Sequence, residues 1–204
     1  MAPDRKQTIV LEVAKMIFII KMAKISFRSL YKECVMPSRP ASPAPTGAPG
    51  AAATAYKAGK YLVFRLGTES YGVSILGIQE IRFYEPPTRI AGSPPHVLGV
   101  FDLRGASIPV IDLRACLGLA PHFDAGTVTV VANPDGRQTV GLVVDSVSDV
   151  VELEAGHFRQ MPSLGEQGST PYVSGLASTT QEGLERTLLL LDLPRLLTAH
   201  APRA

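Results

Sequence analysis

From Lys60 onward the chain is written in short apolar runs broken by glycine, proline, asparagine and aspartate. In residues 61–66 the side chains of Leu62, Phe64 and Leu66 fall on one face, a period of two that suits a half-buried strand and no helix. Residues 67–70 turn the chain into a second run, 71–75, so the two read as a hairpin. Further strands are expected over residues 97–103, 107–111, 127–132, 139–144, 147–153 and 187–191, with Pro134-Asp135-Gly136 as a turn. Pro109 cannot donate to a ladder, so its strand is expected at an edge or a bulge. Helical spacing is confined to about residues 76–81, 113–119 and 193–197. Many short strands with glycine and proline turns predict an all-β fold, a sandwich or small barrels.

The segments before this region have another texture. Residues 1–36 are basic and partly apolar, and their most hydrophobic stretch, Met16-Ile17-Phe18-Ile19-Ile20, is bounded by Lys15 and Lys21. A membrane-spanning helix needs about 20 apolar residues, which this stretch does not supply. A secretory signal also fits poorly, because Lys21, Lys24 and Arg28 crowd the place of a cleavage site. Three readings stay open: an amphipathic helix on an anionic membrane surface, a docking arm, or translated sequence upstream of a start at Met36. Pro37, Pro40, Pro43, Pro45 and Pro49 then lie among small polar residues, a composition that cannot bury a core and predicts an extended linker. The expected organisation is a basic N-terminal extension (1–36), a Pro/Ala-rich linker (37–57), a β domain (58–198) and a short tail (199–204).

Charge sharpens this division. The net charge of the 204 residues is +2, but residues 1–57 carry nine Lys or Arg against three acids, net +6, while 58–198 carry ten against fifteen, net −5. An acidic domain lacks the basic footprint that nucleic-acid binding needs. Cys34 and Cys116 fall in unlike segments, which argues against a disulfide and for a reducing compartment. His96, His122, His157 and His200 are too scattered for a zinc motif, so neither metal nor cofactor is expected.

The chain has no phosphate-binding glycine loop, no dinucleotide fingerprint, no nucleophile elbow and no H-E-x-x-H. Cys116, in an apolar run, reads as a small buried hydrophobe. Asp102, Asp112 and Asp145 close or interrupt strands, where carboxylates usually satisfy turn backbone. Glu80 and Arg104 stand out because each sits in an apolar neighbourhood. They are either solvated surface charges or, if turned inward, a mutually compensating pair.

Taken together and in order, several blocks resemble the CheW family. They are Tyr61-Leu62-Val63-Phe64-Arg65-Leu66-Gly67, then Ile78-Gln79-Glu80-Ile81, Leu103-Arg104-Gly105, and Ile108-Pro109-Val110-Ile111-Asp112-Leu113-Arg114. Val140-Gly141-Leu142-Val143-Val144-Asp145, Tyr172-Val173-Ser174-Gly175-Leu176 and Leu190-Leu191-Asp192 continue the match to about residue 197. The most specific element is L-R-G followed at fixed distance by P-V-I-D-L-R. Asp102 departs from the pattern, where asparagine is usual, as does the long N-terminal extension.

The resemblance implies two interlocked five-stranded barrels with an apolar seam, and a non-catalytic adaptor coupling chemoreceptors to a CheA-type histidine kinase. It implies a cytoplasmic protein held at the inner face of the membrane through its receptors. The implied partners are the chemoreceptor cytoplasmic signalling tip and the kinase regulatory domain. It assigns Ile78, Gly141, Val147 and Val150 to a receptor-binding groove, with Gly141 allowing a helix close to the backbone. It assigns Glu80, Gly99 and Arg104 to coupling or to a structural pair, and Leu164 to a kinase or ring interface. A CheW-like adaptor of a pilus or surface-sensing pathway fits equally, since no residue separates the pathways. A small β-barrel enzyme or ligand-binding protein, with the three aspartates as its foothold, and nucleic-acid binding through residues 1–36 are the readings of other classes.

Overall fold

Alternation produces the first hairpin: β1 (Gly59–Leu66) and β2 (Glu69–Ser74) pair antiparallel, with Leu62 opposite Val73 and Phe64 opposite Tyr71. The structure, a computed structural model, describes residues 57–159, 172–181 and 184–200. The N-terminal extension, the linker up to residue 56, Leu164 and residues 201–204 lie outside the described residues.

The remaining strands are β3 (Ile78–Phe83), β4 (Val97–Leu103), β5 (Ala106–Asp112), β6 (Val128–Ala132), β7 (Val140–Val144), β8 (Ser146–Leu153), β9 (Phe158–Arg159), β10 (Val173–Gln181) and β11 (Leu184–Leu191). Helices are short: α1 (Leu113–Cys116) and α2 (Leu193–His200). One sheet has six strands in the order β8-β1-β2-β11-β10-β9, and the other five in the order β3-β6-β7-β5-β4. The chain thus starts in the first sheet, leaves it for five strands and returns, which interlocks the two.

Both crossings are pinned. Between β2 and β3, the Gly77 carbonyl accepts the Asn133 amide at 2.7 Å, and a Cβ on Gly77 would sit 2.7 Å from the Pro134 Cα. Between β7 and β8, the Asp145 carboxylate accepts the Gly67 amide at 2.7 Å and pairs with the half-buried Arg114 guanidinium.

The main apolar cluster lies between the sheets. It joins Leu62, Phe64 and Leu66 of β1 to Ile78 and Ile81 of β3, Val130 of β6, Leu142 of β7 and Leu193 and Leu196 of α2. A smaller cluster, with Val63, Leu153, Ala177, Leu188 and Leu190, fills the far side of the six-stranded sheet. β1 therefore buries both faces, one in each cluster, which explains why Val63 interrupts its polar positions.

The five-stranded sheet curls until its edges meet. Thr88, just past β3, bridges Val100 of β4 with two backbone bonds of 2.9 Å, and the Arg82 guanidinium lies 5.3 Å over the Phe101 ring. Gly99 makes this closure possible: its φ is 147°, and a Cβ there would stand 2.2 Å from the Thr88 carbonyl oxygen.

The all-β class and the apolar seam match expectation, and several details differ. The sheets have six and five strands, and the five-stranded one closes through a single bridge rather than a continuous ladder. Residues 76–81 were expected to be helical, yet only Ile75–Gly77 makes a 3-10 turn and β3 follows. Ile78 and Ile81 show helical spacing because a bulge at Gln79 adds one residue, so both face Ala132 and Val130 and the same core. Pattern alone does not mark β9, which is two residues long, nor β10, since residues 173–181 are rich in serine, threonine and glycine and lack an apolar run. Contrary to the edge or bulge expected for Pro109, β5 is an interior strand between β7 and β4; the proline is tolerated because the ladder to β7 starts only at Val110.

Gly99→Ala is expected to lower stability by about 2–4 kcal/mol through strain and the clash with Thr88, read as a fall in urea midpoint at constant slope. A midpoint within error of the parent would show that the edges need not meet.

Candidate binding surface

Val147 and Val150 lie on β8, the end strand of the six-stranded sheet, and are three apart, a spacing that would put them on opposite faces of a regular strand. A bulge at Ser148 restores them to one face: Phe64 is opposite Val147 and Leu62 opposite Val150. Both valines are half-buried and pack on the rim of the central cluster, so each keeps part of its apolar surface open to solvent.

Ile78 belongs to that cluster but is fully buried, opposite Ala132. It backs the rim and shows no free surface of its own. Gly141 sits on β7 with its neighbours Val140 and Leu142 pointing into the cluster, so it faces the other way. There a Cβ would stand 2.9 Å from the Phe101 Cε1 and 3.0 Å from the Thr129 Cγ2. The space over Gly141 is taken by Phe101, held in turn by Arg82. The structure thus gathers Ile78, Val147 and Val150 about one cluster and places Gly141 on the opposite face.

Glu80 and Arg104 form an ion pair of 2.8 Å between β3 and the β4–β5 turn. The Arg104 side chain is 82% exposed and that of Glu80 20%, so this is a surface pair, worth about 0.2–1 kcal/mol in general, and not a buried scaffold. The turn itself is unusual. Leu103 pairs with Ala106, leaving Arg104 and Gly105 as a two-residue loop with φ of 56° and 87°, and the Asp102 carboxylate accepts the Gly105 amide at 3.1 Å. Positive φ at both central positions suits the twist of a tight hairpin but is costly for arginine. Arginine is therefore held at the tip, in a conformation that glycine or asparagine would adopt more easily, with its guanidinium displayed to solvent. Arg104 and Arg137 also flank an open crevice with Gln79, Ser107 and Gln138.

The three aspartates are already engaged in backbone and ion-pair roles. Asp102 serves the hairpin, Asp112 caps α1 by accepting the Arg114 amide at 2.9 Å, and Asp145 pins the sheet crossing. Burial raises the Asp112 carboxyl above its ordinary range, opposed by its backbone hydrogen bonds. Cys116 is buried in the central cluster, and desolvation, assisted by the charge of Asp112, pushes its thiol up to about 12. Among the described residues no three His, Cys, Asp or Glu side chains converge as a metal site.

Sequence reading missed several exposed apolar side chains: Leu76, Phe83, Ile90, Leu119 and Phe123. Phe83 ends β3 with its ring exposed, just past the stretch 76–81 whose spacing suits a helix. Leu164, assigned to an interface, lies outside the described residues.

Comparison with known proteins decides the family. A sequence profile of the CheW-like domain matches residues 60–201. The chain belongs to the CheW-like family. The chemotaxis protein CheW of Klebsiella aerogenes is 42% identical over 142 residues, covering 69% of this chain and 82% of that protein. The probable chemotaxis protein CheW of Rhizobium etli is 31% identical over 137 residues, covering 67% and 86%. Among solved structures, the scaffolding protein TtCheW of Thermoanaerobacter tengcongensis superposes with a TM-score of 0.58 at 26% identity, covering 67% of this chain and 90% of that one. The CheW-like match thus takes in both sheets and α2, and the β8 rim and the Arg104 hairpin fall inside it.

Arg104→Asn is expected to change stability by less than about 1 kcal/mol, because losing a surface pair is offset by relief of positive φ. Thermal unfolding checks this, and a larger loss would show that the pair holds the fold. Native Cys116 is expected to stay unlabelled by a thiol reagent at about pH 8 and to react only on unfolding; rapid native labelling would contradict its burial.

Proposed function

We propose that this chain is a non-catalytic adaptor that couples chemoreceptor signalling tips to a CheA-type histidine kinase. The observation that carries the reading is a rigid body with two unlike surfaces on different sheets. One is the half-buried valine rim of β8, and the other the charged hairpin tip at Arg104. Family membership and relatives named as chemotaxis and scaffolding proteins support it. The valine rim, backed by Ile78, suits the apolar stripe of a receptor helix, because β-branched side chains on a bulged strand lose little freedom on contact. The hairpin tip suits a polar partner surface, where an exposed arginine steers encounter and fixes register more than it adds affinity. Gly141 serves this arrangement indirectly, by leaving room for Phe101 in the curl of the five-stranded sheet. Leu164 is proposed as a further kinase or ring contact.

No described helix is long and apolar enough to cross a membrane, and the proposed location is the cytoplasmic face of the membrane, reached through receptors. Signal then passes as a change in relative geometry between receptor and kinase, carried by differences in contact and not by chemistry.

Val147→Asp places a charge on the rim and is expected to weaken binding to a purified receptor signalling fragment at least tenfold, about 1.4 kcal/mol, with an unchanged circular dichroism spectrum. Arg104→Glu is expected to leave that binding intact and weaken association with the kinase regulatory domain. Unchanged receptor binding by folded Val147→Asp would remove the rim from the proposal, and equal loss of both partners in either variant would remove the separation of surfaces.

A further inference from the structure

The C-terminal helix is fastened by a cluster of side chains that the adaptor reading does not use. α2 buries Leu193 and Leu196 in the central cluster, and its two ends are tied to one residue, Tyr172. At the start of the helix the Asp192 amide donates to the Tyr172 carbonyl at 2.9 Å, and at its end the His200 Nε2 lies 2.9 Å from the Tyr172 hydroxyl. His96, from the segment before β4, places its Nε2 2.9 Å from the His200 carbonyl oxygen. A carbonyl only accepts, so His96 donates there, satisfying one of the orphan carbonyls at a helix C-terminus. The two imidazole centroids are 4.7 Å apart, nearly perpendicular, and the Tyr172 ring is 5.1 Å from that of His200.

We propose that His96, His200 and Tyr172 form a pH-sensitive latch that holds α2 on the shared core while His200 is neutral and loosens it when His200 gains a proton. In the neutral state the His200 Nε2 accepts from the Tyr172 hydroxyl, while His96 donates to the helix end. A proton on His200 turns Nε2 into a donor and sets a cation against the ring of His96 in a half-buried site. Burial first, and His96 second, hold the His200 imidazole below its ordinary 6.5.

The last turn of α2 favours a cation at His200, and burial and the ring of His96 act against it. Asp112, at the end of β5, is joined to His96 through its backbone amide, with its carboxylate turned to the Arg114 amide. Asp192 and Arg195 sit toward the opposite end of α2, where the Asp192 carboxylate accepts the Arg195 amide at 3.0 Å. Among the described residues, His96 is the neighbouring ionisable side chain that lowers the His200 proton affinity. Because the docked ring binds its proton less readily than the free one, docking is complete above about pH 6.5 and is lost progressively as pH falls below it.

The latch stands whatever partner the valine rim takes. Its release would loosen the backing of that rim, since Leu193 and Leu196 share a cluster with Val147 and Val150.

Hydrogen exchange of the full chain between about pH 7.5 and 5.5, corrected for intrinsic rates, tests it. The amides of α2 are expected to lose protection several-fold, up to about tenfold for each unit separating the docked and free values, while β6 and β7 stay constant. In His200→Gln the pH dependence is expected to vanish, and in Tyr172→Phe it is expected to persist with lower protection throughout. Constant α2 protection across this range, or an equal loss in His200→Gln, would overturn the latch. So would an imidazole titration by NMR placing His200 at or above 6.5.

Discussion

The apolar layer between the two sheets is the interaction on which everything else depends. Among the described residues neither sheet has a layer of helices to cover it, so each covers the other, and the cluster joining β1, β3, β6, β7 and α2 does so. Interlocked connectivity makes this layer hard to open by sliding. β1 and β2 cannot move without drawing on the β6–β7 turn through Gly77, Asn133 and Pro134, nor β8 without drawing on α1 and the β1–β2 turn through Asp145. The result is a body whose proposed binding surfaces are fixed relative to one another by a shared core rather than by a linker.

Bulges adapt this core to its surface. At Gln79 and at Ser148 one extra residue lets side chains three apart share a face, turning Ile78 with Ile81 and Val147 with Val150 toward the same cluster. The first pair closes the core, and the second ends as a half-exposed rim. A third irregularity, next to Gly99, lets β4 approach Thr88 so that the five-stranded sheet closes on itself. Glycine at 99 and 141 is thus explained by crowding inside the curl, from the Thr88 carbonyl in one case and from Phe101 and Thr129 in the other.

Much of this was legible in the sequence where side chains alternate without interruption. The β1–β2 hairpin, β6, β7 and the acidic character of the domain follow from pattern and charge alone. Bulges defeat such reading, because an inserted residue gives a strand the spacing of a helix, as at residues 76–81. The polar strand β10 gave no apolar signal, being held by its ladder with β11. For the site, the family resemblance pointed to Val147 and Val150, but sequence could not tell the buried Ile78 from an exposed one, nor foresee that Phe101 covers Gly141. Glu80 and Arg104 meet neither reading in full: the charges pair, yet Arg104 stays in solvent because the tight hairpin holds it outward.

The proposed adaptor role requires two partners to be held at once on separate faces of one body. Sedimentation velocity on a mixture of this chain, a receptor signalling fragment and a kinase regulatory domain measures that directly. The account requires a three-component species heavier than either binary complex. Mutual displacement of the two partners, or binding of neither, would contradict it.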